Sequence, residues 1–184
     1  MELNPYAPPM ATLEGAPEAA AEYSPSEPPL FFPVSLTKLV LLHFASFGLY
    51  QLVWFYESWK LVRDREGSVS PIARTFFTVL FCYSLFQRIR DEETRRDLKL
   101  LAGPLATVWI VLTLASRLTD PEWMITFLSF LPLLAVQAKV NRLNHLAAPG
   151  HDPNSRFGVG AIVTMVIGFP VLFLFILGLF VPVQ

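Results

Sequence analysis

Charge is spread along this chain in blocks, and the gaps between the blocks constrain the fold more than any other feature. Four runs carry no Asp, Glu, Lys or Arg and are long enough to weigh as membrane spans: 39–56, 100–116, 123–138 and 157–184. An α-helix rises about 1.5 Å per residue and a bilayer core is about 30 Å thick. The first run therefore nearly spans as it stands, and the last has length to spare. The two middle runs span once flanking residues are borrowed and Lys or Arg side chains snorkel outward. These gaps predict an all-α membrane protein with spans over about 37–58, 100–118, 122–140 and 157–181. Composition agrees, with 53% hydrophobic and only 16% charged residues among 184, against about a quarter charged in soluble domains. A net charge of −1 and a single cysteine, Cys82, argue against a nucleic-acid binder and a disulfide scaffold.

A fifth uncharged run, 75–87, is too short to span and suits an interfacial helix. Ser70-Pro71 is a start signal, serine capping and proline preset for the first turn. From there a helix over about 71–98 is expected, apolar on one face and then charged, with Asp91/Arg95 and Glu92/Arg96 as i,i+4 pairs. Charge bookkeeping supports four spans over five. The 57–99 loop holds nine Lys and Arg and the 139–156 loop three, leaving Lys38 and Arg117 on the opposite side. A crossing by 75–87 would reduce that bias to nine against five. Basic residues concentrate in the cytoplasm, so both termini are expected outside it. Residues 1–33, with eight prolines, six alanines, five glutamates and no Lys or Arg, read as a disordered tail joined to a helical domain over 34–184.

Local signals fit this threading. Asp120-Pro121-Glu122-Trp123 reads as a cap, a first-turn proline, an acid suited to the helix dipole and an interfacial tryptophan. Asn154 or Ser155 can cap the last helix, in which Gly160, Thr164 and Gly168 form a small-residue packing stripe. Pro104, Pro132 and Pro170 are kink sites that neighbouring helices can accommodate.

The polar and aromatic residues of the spans divide into two candidate groups. Tyr50, Trp54 and Trp59 collect towards the inner end of the first span, followed by Lys60 and Arg63. They read either as an aromatic belt with a basic anchor or as a groove for anionic lipid headgroups between this helix and the 71–98 helix. The second group is His43 and Gln51 in the first span with Asn141 and Asn144 at the end of the third. These either line a polar site or serve locally, His43 facing outer headgroups and the asparagines binding loop carbonyls. Gln137 ends the third span. His145, His151 and Asp152 lack the third or fourth ordered ligand that zinc requires. No span contains Asp or Glu, which disfavours an ion-coupled transporter. No phosphate-binding loop, dinucleotide fingerprint or hydrolase elbow is present, and no internal repeat.

Gly48-Leu49-Tyr50 with Trp54-Phe55-Tyr56, then Trp59-Lys60 and the Ser70-Pro71 helix, resembles a small bacterial membrane family known only as a domain of unknown function. Val140-Asn141-Arg142-Leu143-Asn144 before a Gly-containing final span is similar too, as is the opening Asn4-Pro5-Tyr6-Ala7-Pro8. The resemblance covers about residues 34–180. It implies a multi-pass protein of the bacterial cytoplasmic (inner) membrane and no known activity. The expected function is a non-enzymatic scaffold, partner subunit or lipid-interacting module without a cofactor. Its partners are the bilayer, anionic lipids, and a second copy or another membrane protein, not nucleic acid. The alternatives are a small transporter or channel component acting as an oligomer, and an enzyme working on a lipid or quinone-like substrate.

Overall fold

A computed structural model describes residues 28–95 and 100–179. The tail up to residue 27, residues 96–99 and the last five residues of the final run lie outside the described set, and with Arg96 so does the expected Glu92/Arg96 pair. Among the described residues there are seven α-helices and no strand: α1 (Leu36–Ala45), α2 (Tyr50–Glu66), α3 (Pro71–Phe76), α4 (Thr78–Thr94), α5 (Ala102–Leu114), α6 (Phe130–Ala147) and α7 (Val159–Leu179). A 3-10 turn over Ala115–Arg117 extends α5, and a 3-10 stretch over Glu122–Ser129 leads into α6. Two helices are long and apolar enough to cross a membrane, the continuous Glu122–Ala147 and α7. Leu36–Ala45 and Ala102–Arg117 are apolar but shorter. The expectation of four such spans is therefore corrected to two.

The main departure is at the first span. Residues 37–58 do not form one helix; the helix stops at Ala45 and restarts at Tyr50. Phe47 and Gly48 take positive φ, 51° and 86°, and the Gly48 N–H donates to the His43 carbonyl at 2.8 Å. Ser46 Oγ accepts from the Tyr50 N–H at 2.8 Å and so caps the returning helix. Glycine adopts such φ without strain, and the chain doubles back. Arg65, near the end of α2, donates to the Leu30 carbonyl and lies over the Phe31 ring at 5.0 Å. Both ends of the α1–α2 hairpin thus sit together. Lys38 lies at that same end, its ammonium donating to Asn154 Oδ1 at 2.7 Å and the Arg156 carbonyl at 2.8 Å. The expectation that Lys38 and the 139–156 loop lie on opposite sides is corrected by this contact. Asn154 serves Lys38, while α7 starts further on, at Val159.

The expected 71–98 helix is also two pieces. Ser70 Oγ accepts from the Ala73 N–H, and Pro71 occupies the first turn, as the sequence signal requires. The helix breaks at Phe77, and α4 then runs to Thr94. Arg95 pairs with Glu92 at 2.9 Å, and Asp91 pairs with Arg90. The expected Asp91/Arg95 pair is replaced because the neighbouring guanidinium of Arg90 reaches that carboxylate.

The core is aromatic. Trp54, Phe55, Phe86 and Trp109 stack mostly edge to face, with centroids 4.9–6.5 Å apart, inside a shell that includes Leu85, Ile89, Leu133, Val136 and Val140. Against this body α7 packs most closely at Gly168, beside Ala45, and through Phe175 against the rings of Phe47 and Trp123. Its surface is otherwise exposed and apolar, with Val159 80% exposed and Val166 and Leu174 each 66%.

Candidate functional site

The α1–α2 turn brings His43 and Gln51, one helix apart in sequence, into direct contact. His43 Nε2 lies 3.0 Å from the Phe127 carbonyl, which can only accept, so that nitrogen carries the proton. Nδ1 is therefore an acceptor, and Gln51 Nε2 donates to it at 3.1 Å. The second amide proton of Gln51 goes to Ser129 Oγ at 2.9 Å, and Gln51 Oε1 accepts from Trp109 Nε1 at 2.6 Å. Both side chains are buried and both are fully engaged, as buried polar groups must be. His43 thus points inward to a neutral network. The expectation that it faces the headgroups is corrected, because the turn places Gln51 and Phe127 around its ring.

Beside this network lies a cavity of about 300 Å³. His43, Gln51 and Ser129 contribute to its wall, with Thr78, Thr113, Ser116 and Thr126, and with Phe47, Leu49, Leu52, Trp109 and Phe127. The hydroxyl oxygens of Thr78 and Thr113 are buried and have no hydrogen-bond partner. Ser129, Thr78, Thr113 and Trp109 are not singled out by sequence reasoning, since a lone hydroxyl in an apolar run carries no pattern; only the helix break gathers them.

Asn141 and Asn144 belong to a second network. Gln137, Asn141 and Asn144 are spaced i, i+4, i+7, one face of α6. Asn144 holds Phe31 in both directions, accepting from its N–H at 3.1 Å and donating to its carbonyl at 2.7 Å. Asn141 Nδ2 donates to the Val34 carbonyl at 2.9 Å. Gln137 Nε2 donates to the Phe32 carbonyl at 3.2 Å and Asn141 Oδ1 at 2.7 Å, while its Oε1 accepts from Trp54 Nε1. This amide ladder satisfies the backbone of an extended segment that has no other partner strand. The asparagines bind carbonyls, but those of the segment entering α1, and Leu30, Phe31 and Phe32 pack on the helical body with Phe31 buried. The ladder does not join the His43–Gln51 network directly.

The aromatic group divides as well. Trp54 and Trp59 are fully buried, so neither is a belt residue at a lipid interface. The indole of Trp59 lies beneath two guanidiniums, Arg74 at 4.4 Å and Arg88 at 5.8 Å from its ring. Tyr50 is half-buried beside Lys38, Gly160 and Thr164 in a separate cavity. Lys60 pairs with Glu57 at 3.6 Å and Arg63 with Asp64 at 2.9 Å.

Between α2 and α3 runs a groove of about 580 Å³ walled by Leu52, Val53, Tyr56, Ile72, Thr75 and Phe76. Ile72 and Phe76 are 72% and 81% exposed, a large apolar surface for a protein to leave uncovered. Val53, Tyr56, Lys60 and Arg63 follow one face of α2, so this face passes from apolar to basic towards the Arg65 end. Leu52 borders both the groove and the hydroxyl-lined cavity.

Among the described residues no three His, Cys, Asp or Glu side chains gather as a metal site. His151 Nδ1 is engaged with the Ala148 carbonyl at 2.7 Å. No protein-family model, curated protein or solved structure matches this chain.

Proposed function

We propose that this chain is a multi-pass protein of a bacterial cytoplasmic membrane that binds lipid without catalysing a reaction on it, its α2–α3 groove holding an acyl chain. The observation that carries this reading is the groove itself, an uncovered channel of aliphatic and aromatic side chains on a body whose last helix, α7, is apolar all round. In water such a surface costs about 25 cal/mol per Å²; in a bilayer it is the natural seat of a hydrocarbon tail. In this threading Glu122–Ala147 and α7 cross the membrane, and the shorter Ala102–Arg117 crosses with Arg117 snorkelling outward and flanking residues borrowed, while α1–α2 and α3–α4 enter and leave from the basic side. The family resemblance of the Gly48–Tyr56 stretch supports the bacterial location.

Lys60 and Arg63 each already face a carboxylate, so an anionic headgroup gains little from them. Purified protein examined by native mass spectrometry should retain phospholipid. The double variant Ile72→Ser/Phe76→Ser should lose most of it while remaining folded, since both side chains are largely exposed. Lys60→Gln/Arg63→Gln should alter retention of phosphatidylglycerol relative to phosphatidylcholine by less than about threefold, the worth of exposed ion pairs. Lipid retention unchanged by the Ile72/Phe76 variant would overturn the assignment of the groove.

A further inference from the structure

The α2–α3 groove has a neighbour. Val53 also borders a hollow of about 390 Å³ enclosed by α1, α2 and α7. Tyr50, Val53 and Tyr56 stand at i, i+3 and i+6 on one face of α2. Tyr50 walls the hollow, Tyr56 walls the groove, and Val53, 46% exposed, divides them. Leu42 closes one side of the hollow, and Gly158, Gly160 and Ala161 the other. Both glycines are exposed, and a Cβ built on either would meet nothing within 4 Å, so the space is open from outside.

The polar groups along the hollow are satisfied. Thr164 Oγ1 donates to the Gly160 carbonyl at 2.9 Å. The Lys38 ammonium leaves the hollow for the loop before α7, held by Asn154 Oδ1 at 2.7 Å, the Arg156 carbonyl at 2.8 Å and the Asn154 carbonyl at 3.4 Å. Its methylene stem is what a ligand meets, so a hydrocarbon chain lying here strips no polar group of its partner. Charge at that end is not satisfied in the same way, because all three oxygens around Lys38 are neutral. Asp152 accepts from the Asn154 N–H at 2.8 Å and acts on Lys38 only from a distance. Among the described residues no carboxylate lies within salt-bridge distance of Lys38 or of the exposed Arg156. Two cations therefore stand at one end of an apolar hollow without a counter-ion, and a phosphodiester supplies one.

Resting on the acyl-groove reading above, we infer that the hollow completes the lipid site, taking the second chain of a two-chain phospholipid whose first chain lies in the groove. The chains pass either side of Val53, and the phosphate lies at the Lys38–Arg156 end. In the threading proposed above that end is at the headgroup level of the basic side. Both channels lead from it towards the Gly48 turn, the direction in which the chains of that leaflet run. A lysophospholipid would leave the hollow empty, and a diacylglycerol would leave the cations unpaired.

The test offers the full-length protein in detergent equal amounts of a phosphatidylglycerol, the matching lysophosphatidylglycerol and the matching diacylglycerol, and reads retained lipid by native mass spectrometry. The two-chain phospholipid should be retained about tenfold above either competitor, a small part of what burying a whole chain is worth. Gly160→Phe fills the hollow from an exposed position, so it should fold as the parent does. It should bring phosphatidylglycerol down to the level of the lyso form while the lyso form stays bound. Arg156→Gln should cut the preference over diacylglycerol about threefold, the worth of an exposed charge pair. Equal retention of the phospholipid and its lyso form by the parent, or a two-chain preference that survives Gly160→Phe, would overturn the inference and leave the acyl groove standing. Diacylglycerol held as well as phosphatidylglycerol, or a preference unmoved by Arg156→Gln, would overturn the placing of the phosphate and the inference with it. Retention of none of the three would overturn the groove reading itself.

Discussion

Glu93 is fully buried near the end of α4, and neither of its carboxylate oxygens has a hydrogen-bond partner. Burial pushes its carboxyl pKa up, against the opposing pull of Lys139 and Arg142. As a carboxylate near a helix C-terminus it also meets the unfavourable end of the dipole. A carboxyl raised in the folded state contributes stability that is complete below its unfolded pKa and is lost as pH rises through the folded value. Glu93→Gln, which cannot ionise, should therefore raise the melting temperature in detergent at pH 7 by roughly 2–4 °C, corresponding to about 1 kcal/mol. Below pH 4 that gain should vanish, because the parent is then protonated as well. A loss at pH 7 would mean that the attraction of Lys139 and Arg142 outweighs desolvation. Residues of this kind are hard to read from sequence, since Glu93 stands in a charged block that looks solvated throughout. The α6 amides are different: Gln137, Asn141 and Asn144 share a visible helical face, and a row of amides beside an apolar one anticipates a backbone partner. Which backbone they hold depends on the chain returning to α6, and no local pattern carries that.

At the scale of elements, the small-residue stripe on α7 was legible in part. At Gly168 a Cβ would lie 1.8 Å from the Ala45 carbonyl oxygen and 2.9 Å from its Cα, so backbone meets backbone. At Gly160 an added Cβ meets nothing within 4 Å. Spacing alone treats the two glycines alike; the structure separates them because α1 ends at Ala45 and the helices touch near that end. Gly168→Ala should push α1 from α7 and cost about 1–3 kcal/mol in thermal unfolding. Gly160→Ala should be neutral or stabilising by up to about 1 kcal/mol, the helix propensity difference. Equal effects at the two positions would mean that the α1–α7 contact is not formed as described. The α1–α2 turn departs from the single expected helix for a related reason. An uncharged run of span length has the same composition whether it is one helix or two short ones. Ser46, Gly48 and the renewed helix at Tyr50 were the available signals, and each is common inside membrane helices. The Ser70-Pro71 start was legible because its chemistry is local: a hydroxyl cap and a proline need only the next turn.

For the whole molecule, doubling back at Gly48 changes the threading. Lys38 touches Asn154 and Arg156, and Arg65 touches Leu30, so the segment entering α1 shares an end with α2's exit and the loop before α7. In the threading proposed above, thirteen of the fourteen Lys and Arg then fall on one side, with Arg117 alone on the other. That is a stronger cytoplasmic bias than the twelve against two of four full spans, so the hairpin and the charge rule reinforce each other. The two threadings differ on which side residue 28 lies and agree on residues 119 and 149. Cys82 is the single cysteine and is buried, so introduced thiols can be read with little background. Pro28, Thr119 and Pro149 are exposed and suit replacement by cysteine. In intact spheroplasts a membrane-impermeant maleimide should label Thr119→Cys. Pro28→Cys and Pro149→Cys should react only after permeabilisation. Labelling of Pro28→Cys from outside while Pro149→Cys stays protected would restore a full crossing by residues 37–58. It would also separate Lys38 from Asn154 by the thickness of the bilayer, which their hydrogen bond forbids.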